Sequence, residues 1–322
     1  MPEHTTKNPS NVLKYGLGIV FDMSKIALDT RVMEEGSVQS DFGDLKKMPD
    51  GYVLMIPDHT LRDEPIALTI LQAGANAEIR LRVHVGKGSR VTLIEKSDVK
   101  EYQSVTVEVQ VGERAMVNYV IMQNLHDTAY RISSYKAMVG THASLTWFDI
   151  ELGGNIVGTD IQTELAGEEA RGETYGIFFG TGETSYDIHH DTRHTASRTF
   201  SHMETKGLLD MKAKAIYLGK IRIEKGAEGC NGYEREDTLL LSKDAQVRAV
   251  PELEIGNNDV KCAHAVTTSR IDEEKMFYLR SRGIGDEQAR RLAVLGHVGG
   301  VIEKIPGEEI QKEIMEDIEK RL

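Results

Sequence analysis

Cysteine is scarce in this chain, which contains only Cys230 and Cys262 among its 322 residues. Two cysteines cannot build the disulfide framework that stabilises small secreted domains, and two reduced thiols are typical of an intracellular compartment. The apolar run from Leu17 to Phe21 is interrupted by Gly18 and followed by Asp22. Such a run is too short to span a membrane and makes a poor signal peptide. The sequence therefore predicts a soluble, cytoplasmic protein.

Positive charge is also in short supply. Lysine and arginine number 39 against 51 aspartate and glutamate residues, which gives a net charge of −12. A protein of this charge repels both the phosphate backbone of nucleic acids and anionic lipid surfaces. We expect neither a nucleic acid nor a membrane as a partner.

Several catalytic motifs are absent. The glycine-rich stretch from Gly180 to Ser185 lacks the lysine with which a phosphate-binding loop contacts its nucleotide. The sequence also has no nucleophile elbow, no H-E-x-x-H motif and no four-cysteine zinc pattern. Any nucleotide chemistry is therefore expected to belong to a partner protein.

A repeated unit dominates the middle of the chain. Each copy has a glycine, a small residue three positions later and then alternating apolar residues. Copies begin at Gly74, Gly86, Gly112, Gly140 and Gly167, with weaker ones at Asp210 and Ser242. Because the central copies recur every 26 to 28 residues with few helical stretches between them, the pattern favours a parallel β-helix, or β-solenoid. An antiparallel sandwich with similar turns is the alternative.

The two ends of the chain differ from this core. Residues 1–45 combine a polar tail with a possible short amphipathic segment, residues 46–266 carry the β-helix pattern, and residues 267–322 show helical periodicity. Thr268 or Ser269 is predicted to cap a first helix that ends at Gly283, and a second helix is predicted from Asp286 to His297. A third helix follows Pro306 and carries an apolar stripe, formed by Ile310, Ile314, Ile318 and Leu322.

Cys262 and His264 form a C-x-H pair. On a strand, two such side chains point to the same face about 6 to 7 Å apart, which is close enough to share a metal. Cys230 lies 32 residues earlier, the same step that separates the last two repeat units, so we expect the two cysteines on neighbouring coils roughly 5 Å apart. Two thiolates do not complete a cluster site, but a two-fold dimer would offer four. The alternative is that each cysteine is an inert apolar residue.

Oxygen ligands are available close by in the sequence, at Asn231, Glu236 and Asp237. The histidine-rich strand from Ile188 to His194 fits a metal site less well. His190 and His194 share a face but would lie about 13 Å apart along a strand. We expect these histidines to be structural or interfacial.

The C-terminal third resembles the signature of the SufB/SufD family, the scaffold proteins of the SUF iron–sulfur cluster assembly system. The matching motifs are TLLLSKDAQV (238–247), PELEI (251–255), DVKCAH (259–264) and DEEKMFYLRSRGI (272–284). The resemblance is to a short, minimal scaffold and implies a right-handed parallel β-helix with a small C-terminal helical domain. It also implies that this domain docks an ABC ATPase of the SufC type, and that two chains form a homodimer or a heterodimer with a paralogue.

Carried over residue by residue, the resemblance places His264 at the position of the interface histidine of SufD-like members. The sulfur-accepting cysteine of SufB-like members corresponds to Glu236, and the glutamate after their histidine corresponds to Ala265. This chain thus departs from the SufB pattern at two functional positions. It is either a compact scaffold that uses its own two cysteines or a SufD-like structural partner without a cluster.

We favour the scaffold, because both cysteines fall near the signature. The expected cargo is a transient [4Fe-4S] or [2Fe-2S] cluster destined for acceptor proteins. Its predicted ligands are Cys230, Cys262, His264, Glu236 and Asn231. The ATPase, which would hold the only enzymatic activity of the complex, is predicted to contact Phe277, Leu279 and Ile284.

A carbohydrate-active β-helix enzyme is a competing class. Such an enzyme needs convergent carboxylates and a sugar-binding surface. The sequence offers only a modest cluster at Asp187, Asp191 and Arg193, and a single tryptophan, Trp147.

Overall fold

The computed structural model describes residues 34–71, 76–97, 99, 101–271 and 273–322. Residues 34–322 form one compact unit. The amphipathic segment considered for the start of the chain falls largely in residues 1–33, and the first repeat copy begins at Gly74; both positions lie outside the described residues.

Nineteen strands and three helices make up the described part of the chain. The strands are β1 (Glu34–Glu35), β2 (Ser37–Ser40), β3 (Leu45–Met48), β4 (Gly51–Ile56), β5 (Ile66–Leu71), β6 (Asn76–Val85), β7 (Arg90–Ser97), β8 (Tyr102–Val111), β9 (Met116–Leu125), β10 (Tyr130–Val139), β11 (Ser144–Gly153), β12 (Ile156–Leu165), β13 (Arg171–Gly180), β14 (Ser185–His194), β15 (Phe200–Leu209), β16 (Lys214–Ile223), β17 (Cys230–Leu240), β18 (Gln246–Ile255) and β19 (Val260–Arg270). The helices are α1 (Glu273–Ser281), α2 (Asp286–Ile302) and α3 (Glu308–Glu319).

The strands form two sheets that stack along one axis. Sheet A has the order β18-β16-β14-β12-β10-β8-β6-β4-β3, and sheet B has the order β19-β17-β15-β13-β11-β9-β7-β5-β2. From β4 onward the sheet order alternates along the chain, and each strand pairs in parallel with the strand two positions later. The predicted β-helix is confirmed as a β-solenoid of about seven turns, and the antiparallel sandwich does not apply.

The repeat glycines mark one corner of the coil. Gly86, Gly112, Gly140 and Gly167 each precede a strand of sheet B, and the register of that sheet pairs Arg90 with Met116, Met116 with Ser144 and Ser144 with Arg171. These register steps of 26, 28 and 27 residues equal the spacings of the glycines. One sequence repeat is therefore one turn of the solenoid.

Successive coils approach too closely at this corner for a side chain. A Cβ at Gly167 would lie 2.0 Å from the backbone nitrogen of Thr141 on the preceding coil. The Gly167 N–H donates to the carbonyl of Val139 at 3.0 Å, and the Ala170 N–H closes the turn on the Gly167 carbonyl at 3.2 Å. Glycine is required here by the backbone contact between coils.

Inward-facing side chains fill the solenoid at every second position, as strand geometry demands. In β8 the buried residues are Gln103, Val105, Val107, Val109 and Val111. Strands of sheet B depart from this alternation: from Tyr175 to Gly180, every residue of β13 is buried. The outer face of sheet B must therefore be covered.

Helices α2 and α3 provide this cover. Val294, Val298 and Val301 of α2 pack in one apolar cluster with outward-facing sheet B residues such as Phe148 and Ile177. The stripe predicted for the third helix is confirmed, with Ile314 and Ile318 buried and Ile310 and Leu322 partly buried in the same cluster. None of the described helices is both long and apolar enough to cross a bilayer.

Two predicted helix boundaries are wrong. Thr268 and Ser269 do not cap the first helix, because they extend β19 by pairing with Thr238 and Leu239 of β17. The second helix ends at Ile302 rather than His297. Its apolar face continues past His297 to residues that are buried against sheet B, so the packing extends the helix.

A glycine substitution tests the coil contact. We expect Gly167→Ala to lower the free energy of unfolding by about 1–3 kcal/mol, since the methyl group must displace backbone on the preceding coil. Gly226 lies in the turn before β17, and a Cβ there would meet no described atom within 4 Å. Urea unfolding of Gly226→Ala should differ from wild type by no more than about 0.5 kcal/mol. Equal effects of the two substitutions would contradict this account of the corner.

Candidate functional site

The two ends of the solenoid are finished differently. At the N-terminal end, β2 pairs antiparallel with β5 and β3 pairs antiparallel with β4, and Phe42, Leu45 and Tyr52 pack against the core. At the C-terminal end, β18 and β19 are the last strands of their sheets, with no further strand beside them in the described part of the chain. An exposed pair of strand edges is a ready surface for pairing with another chain.

Inward-facing side chains of the final coil are exposed at this open end. The register of β17 and β19 pairs Gly232 with Cys262 and Glu234 with His264. Because Gly232 and Glu234 face the interior and are buried, Cys262 and His264 lie over the end of the core. His264 is exposed and Cys262 is half-buried, and burial raises the pKa of the Cys262 thiol. The predicted C-x-H pair thus shares one face.

Two buried carboxyl groups lie on the strand beneath, Glu234 under His264 and Glu236 under Val266, two positions further along. Glu234 is 3% exposed and Glu236 is 0% exposed. Neither oxygen of Glu234 has a hydrogen-bond partner among the described residues. Glu236 accepts a hydrogen bond from the Thr238 hydroxyl through one oxygen, and its other oxygen has no partner in the described part of the chain. Buried carboxyl groups in this condition are costly and need an explanation.

The neighbouring coil leaves room for the Glu234 carboxyl group. A Cβ at Gly219 of β16 would lie 1.6 Å from Glu234 Oε1. Burial, reinforced by the nearby Glu236 charge, raises the pKa of Glu234 to about 8. Burial raises the pKa of Glu236 to about 7, against the opposing hydrogen bond from Thr238. These groups hold protons near neutral pH, and a bound cation can replace those protons.

Cys230 lies on β17, one coil further from the open end than Cys262 on β19. It is fully buried and packs with Met203 and Ile221 in a small cluster that Cys262 joins from the surface. Its Sγ lies 3.1 Å from Thr199 Oγ1. The two cysteines are therefore on neighbouring coils, as expected, but they are not directly opposite.

The offset has a simple cause. Cys230 pairs with Val260, so the step between β17 and β19 is 30 residues. The 32-residue step used in the sequence comparison holds in sheet A, where Lys214 pairs with Gln246. Cys262 is consequently displaced from Cys230 by two positions along the strand.

Asn231 does not join the other predicted ligands. It pairs with Phe200 and Lys261 on the outer face of sheet B, whereas Cys230, Glu236 and Cys262 belong to the inner face. Within a single chain, the described residues contain no group of three or more histidine, cysteine, aspartate or glutamate side chains placed to hold a metal ion. A metal or cluster site at this end needs further ligands or a rearrangement.

Glu234 is the residue that the sequence interpretation missed. Its signal is the period-two spacing from Cys230 through Gly232 and Glu234 to Glu236, which places all four on the inner face of β17. Charged residues at inward positions of a strand are almost never fully buried unless they are paired. Reading the register of β17 together with the strand period would have identified it.

The histidine-rich strand β14 is structural, as its spacing indicated. His190 faces inward and contacts Asp149 Oδ2 through Nε2 at 3.0 Å. His194 contacts Thr199 and Ser201 through its two ring nitrogens. Burial lowers the pKa of both imidazoles to about 4, so both are neutral at physiological pH.

The residues predicted to bind a partner lie on α1 and the turn after it. Phe277 is 71% exposed, while Leu279 and Ile284 are half-buried. Tyr278, which the sequence interpretation did not select, is also exposed and stacks with the Arg282 guanidinium at 5.2 Å. Helix α1 thus presents an aromatic surface.

Comparison with known proteins identifies the family of this chain. The family described as "SUF system FeS cluster assembly, SufBD core domain" matches residues 70–297, well over half of the chain. The chain belongs to the SufBD family. Because this family belongs to the SUF system, this SufBD protein is a component of the machinery that assembles iron–sulfur clusters.

Curated SufBD relatives are similar over most of the chain. One iron–sulfur cluster assembly SufBD family protein of Mycobacterium leprae is 30% identical over 266 residues, which cover 80% of this chain and 68% of the relative. A Synechocystis relative is 26% identical, with 80% of this chain and 61% of the relative covered. A second M. leprae relative is 29% identical over 70% of this chain, but only 26% of that relative is covered. The match thus spans from about a quarter to two thirds of these relatives' length.

The buried carboxyl groups predict a pH dependence of stability. The folded-state pKa of Glu234, about 8, is above its ordinary value of 4.5, so between these values the folded state binds more protons than the unfolded state. The free energy of unfolding should therefore fall as pH rises through this window, by up to about 1.4 kcal/mol per pH unit for one such group.

Glu234→Gln should flatten this decline in urea unfolding measured from about pH 5 to pH 8, because the amide cannot ionise. Glu183→Gln, in the turn between β13 and β14, changes a glutamate whose side chain is 75% exposed and should leave the decline unchanged. Parallel profiles for wild type and Glu234→Gln would show that Glu234 does not carry the effect.

Proposed function

We propose that this SufBD protein is a scaffold on which iron–sulfur clusters are assembled and from which they pass to acceptor proteins. The observation that carries the proposal is the open end of the solenoid. There a thiol and an imidazole, Cys262 and His264, share one face of the last strand, with the buried carboxyl group of Glu234 under His264. Glu236 follows two positions along β17, and three oxygens of these two carboxyl groups have no partner among the described residues. The iron and sulfide are the cargo of this site.

A second chain completes the site. The ligands of one chain are too few for a cluster, which usually takes four, and both strand edges of the last coil are available for pairing. A two-fold arrangement of two open ends presents each ligand twice. We propose a homodimer, or a heterodimer with a paralogue, formed through β18 and β19.

The ligands divide by chemistry. The Cys262 thiolate supplies the soft sulfur ligand, while His264 and the carboxylates of Glu234 and Glu236 supply weaker, exchangeable ligands for incoming iron. Cys230 supplies a second thiolate from the coil beneath once its contact with Thr199 is given up. A mixed set of this kind holds a [4Fe-4S] or [2Fe-2S] cluster only transiently, which suits transfer to an acceptor.

We exclude Asn231 from the ligand set. Its side chain leaves the strand on the outer face, whereas the other predicted ligands leave it on the inner face. Moving it to the site would require turning over β17, which every hydrogen bond to β15 and β19 opposes.

The ATPase docks on α1. The apolar faces of helices α2 and α3 pack on sheet B, whereas Phe277 on α1 is exposed and Leu279 and Ile284 are half-buried. An exposed aromatic residue is a typical interface anchor. The partner is an ABC ATPase of the SufC type, in which the nucleotide chemistry resides and whose closure shifts the two scaffold chains relative to each other.

A second candidate is a structural partner without its own cluster. It is favoured by the full burial of Cys230 and by the lack of a three-ligand group within the described residues of one chain. The carbohydrate enzyme has less support. Asp187 pairs with His189 at 2.9 Å and Arg193 with Glu224 at 2.7 Å on the outer face of sheet A.

Anaerobic reconstitution with ferrous iron and sulfide distinguishes a cluster scaffold from a structural partner without its own cluster. Wild type should bind iron and sulfide and absorb in the visible range. The double variant Cys230→Ser and Cys262→Ser should lose this absorbance, and Glu234→Gln should bind less iron because it removes an anionic ligand. Asn231→Ala is the matched control from the same strand and should behave as wild type.

Unchanged iron and sulfide in the double cysteine variant would contradict the proposed site. If the wild-type dimer binds neither iron nor sulfide, the protein is instead the structural partner without its own cluster.

Docking of the ATPase is tested by one aromatic residue. Phe277→Ala should weaken binding of the SufC-type ATPase by about 10- to 100-fold, as expected for an interface anchor. Leu292→Ala on α2 removes another exposed apolar side chain, 49% exposed, and should leave the affinity unchanged in calorimetry. An equal loss for both variants, or for neither, would exclude α1 as the docking element.

A further inference from the structure

A cluster of buried polar side chains, the polar chamber, lies inside the solenoid several coils before the open end. Glu95, Gln103 and Arg131 all face the interior, and each is no more than 1% exposed. Arg131 forms an ion pair with Glu95 at 3.0 Å and donates a hydrogen bond to Gln103 Oε1 at 3.0 Å. Such a buried ion pair is tolerated only when its remaining hydrogen-bonding groups are satisfied.

These remaining groups are not all satisfied by protein atoms. Arg131 Nη1, Gln103 Nε2 and Gln123 Oε1 have no hydrogen-bond partner within the described residues. Two are donors and one is an acceptor, and all belong to side chains that are at least 99% buried. Ordered water, which makes about three hydrogen bonds, is the usual partner of such groups.

Asp149 and Glu151 border the chamber, but they do not require water in the same way. Each has one buried oxygen without a partner among the described residues. Burial raises the pKa of Glu151 well above its usual range and that of Asp149 to about 6. The two neighbouring groups therefore hold a proton between them, and the inference depends on Arg131, Gln103 and Gln123.

A cleft between α3 and sheet B shares two residues with this chamber. It encloses about 110 Å³, enough for several water molecules, and its lining includes Lys96, Ser97, Gln123 and Glu313. Two lining residues are also chamber contacts: Ser97 Oγ accepts a hydrogen bond from Arg131 Nη2 at 3.4 Å, and Gln123 Nε2 donates to Glu151 at 2.6 Å.

We propose that this cleft is the entrance to a hydrated chamber inside the solenoid, whose ligand is a short chain of water molecules bound by Arg131, Gln103 and Gln123. The entrance gives small polar molecules access to the interior without passing the open end. It uses none of the candidate cluster ligands and is independent of the scaffold role.

Cysteine accessibility tests the chamber. In the full chain with Cys230→Ala and Cys262→Ala, single cysteines are introduced by Gln123→Cys and Gln103→Cys. The matched controls are Ile121→Cys on β9 and Val105→Cys on β8, each two residues away on the same inward face and equally buried. Methyl methanethiosulfonate, a small neutral thiol reagent, should label the chamber cysteines at least about tenfold faster than their controls, because local hydration requires no unfolding. Mass spectrometry of the intact protein measures the rates.

A substitution at the mouth tests the route. Lys96→Trp replaces a partly exposed residue of the cleft lining and should slow the labelling of Gln103→Cys without changing that of Val105→Cys. The two glutamine positions are independent, so one of them suffices if the other variant does not fold by circular dichroism. Equal labelling of chamber and control cysteines would overturn the chamber, and an unchanged rate in Lys96→Trp would overturn the cleft as its entrance.

Discussion

Backbone hydrogen bonds between strands one coil apart are the constraint on which this protein depends. They form only if every coil advances the chain by the same distance along the solenoid axis, so that its strands lie next to those of the coil before. The corners before β7, β9, β11 and β13 meet this requirement with a glycine whose backbone lies against the coil below. A stack held together in this way has no natural stop, because its last coil always leaves unpaired groups. The antiparallel strands at the N-terminal end cover one such edge, and the edge at the other end is where the candidate ligands emerge.

The interior shows two treatments of buried charge. Glu95 is paired with Arg131 and accepts hydrogen bonds from the hydroxyls of Tyr119 and Tyr135. Glu234 has no such partner among the described residues, and the space opposite it is kept free by Gly219. The first arrangement resembles a structural network, in which each charged group is compensated. The second leaves a carboxyl group that can bind a ligand.

Much of the fold could be predicted from the sequence, because its repeat is local. The glycine spacing gave the register of sheet B, and the isoleucine stripe of the last helix identified the face that packs on the solenoid. Contacts between residues far apart in the sequence were harder to predict. The last coil has different step lengths in its two sheets, so the offset between Cys230 and Cys262 could not be read from one repeat. Thr268 and Ser269 have good capping chemistry, but strand pairing with β17 outweighed it.

The attachment point of the helical layer has a mechanical consequence. Helix α2 contacts β13 and β15, and ion pairs fix its region to the solenoid, from Arg290 to Asp210 and from Lys304 to Glu204 at 2.8 Å. A force on α1 is therefore transmitted through α2 to coils that lie before the open end. In the proposed dimer, joined through β18 and β19, a small rotation of each chain at its helical layer would change the separation of the two open ends.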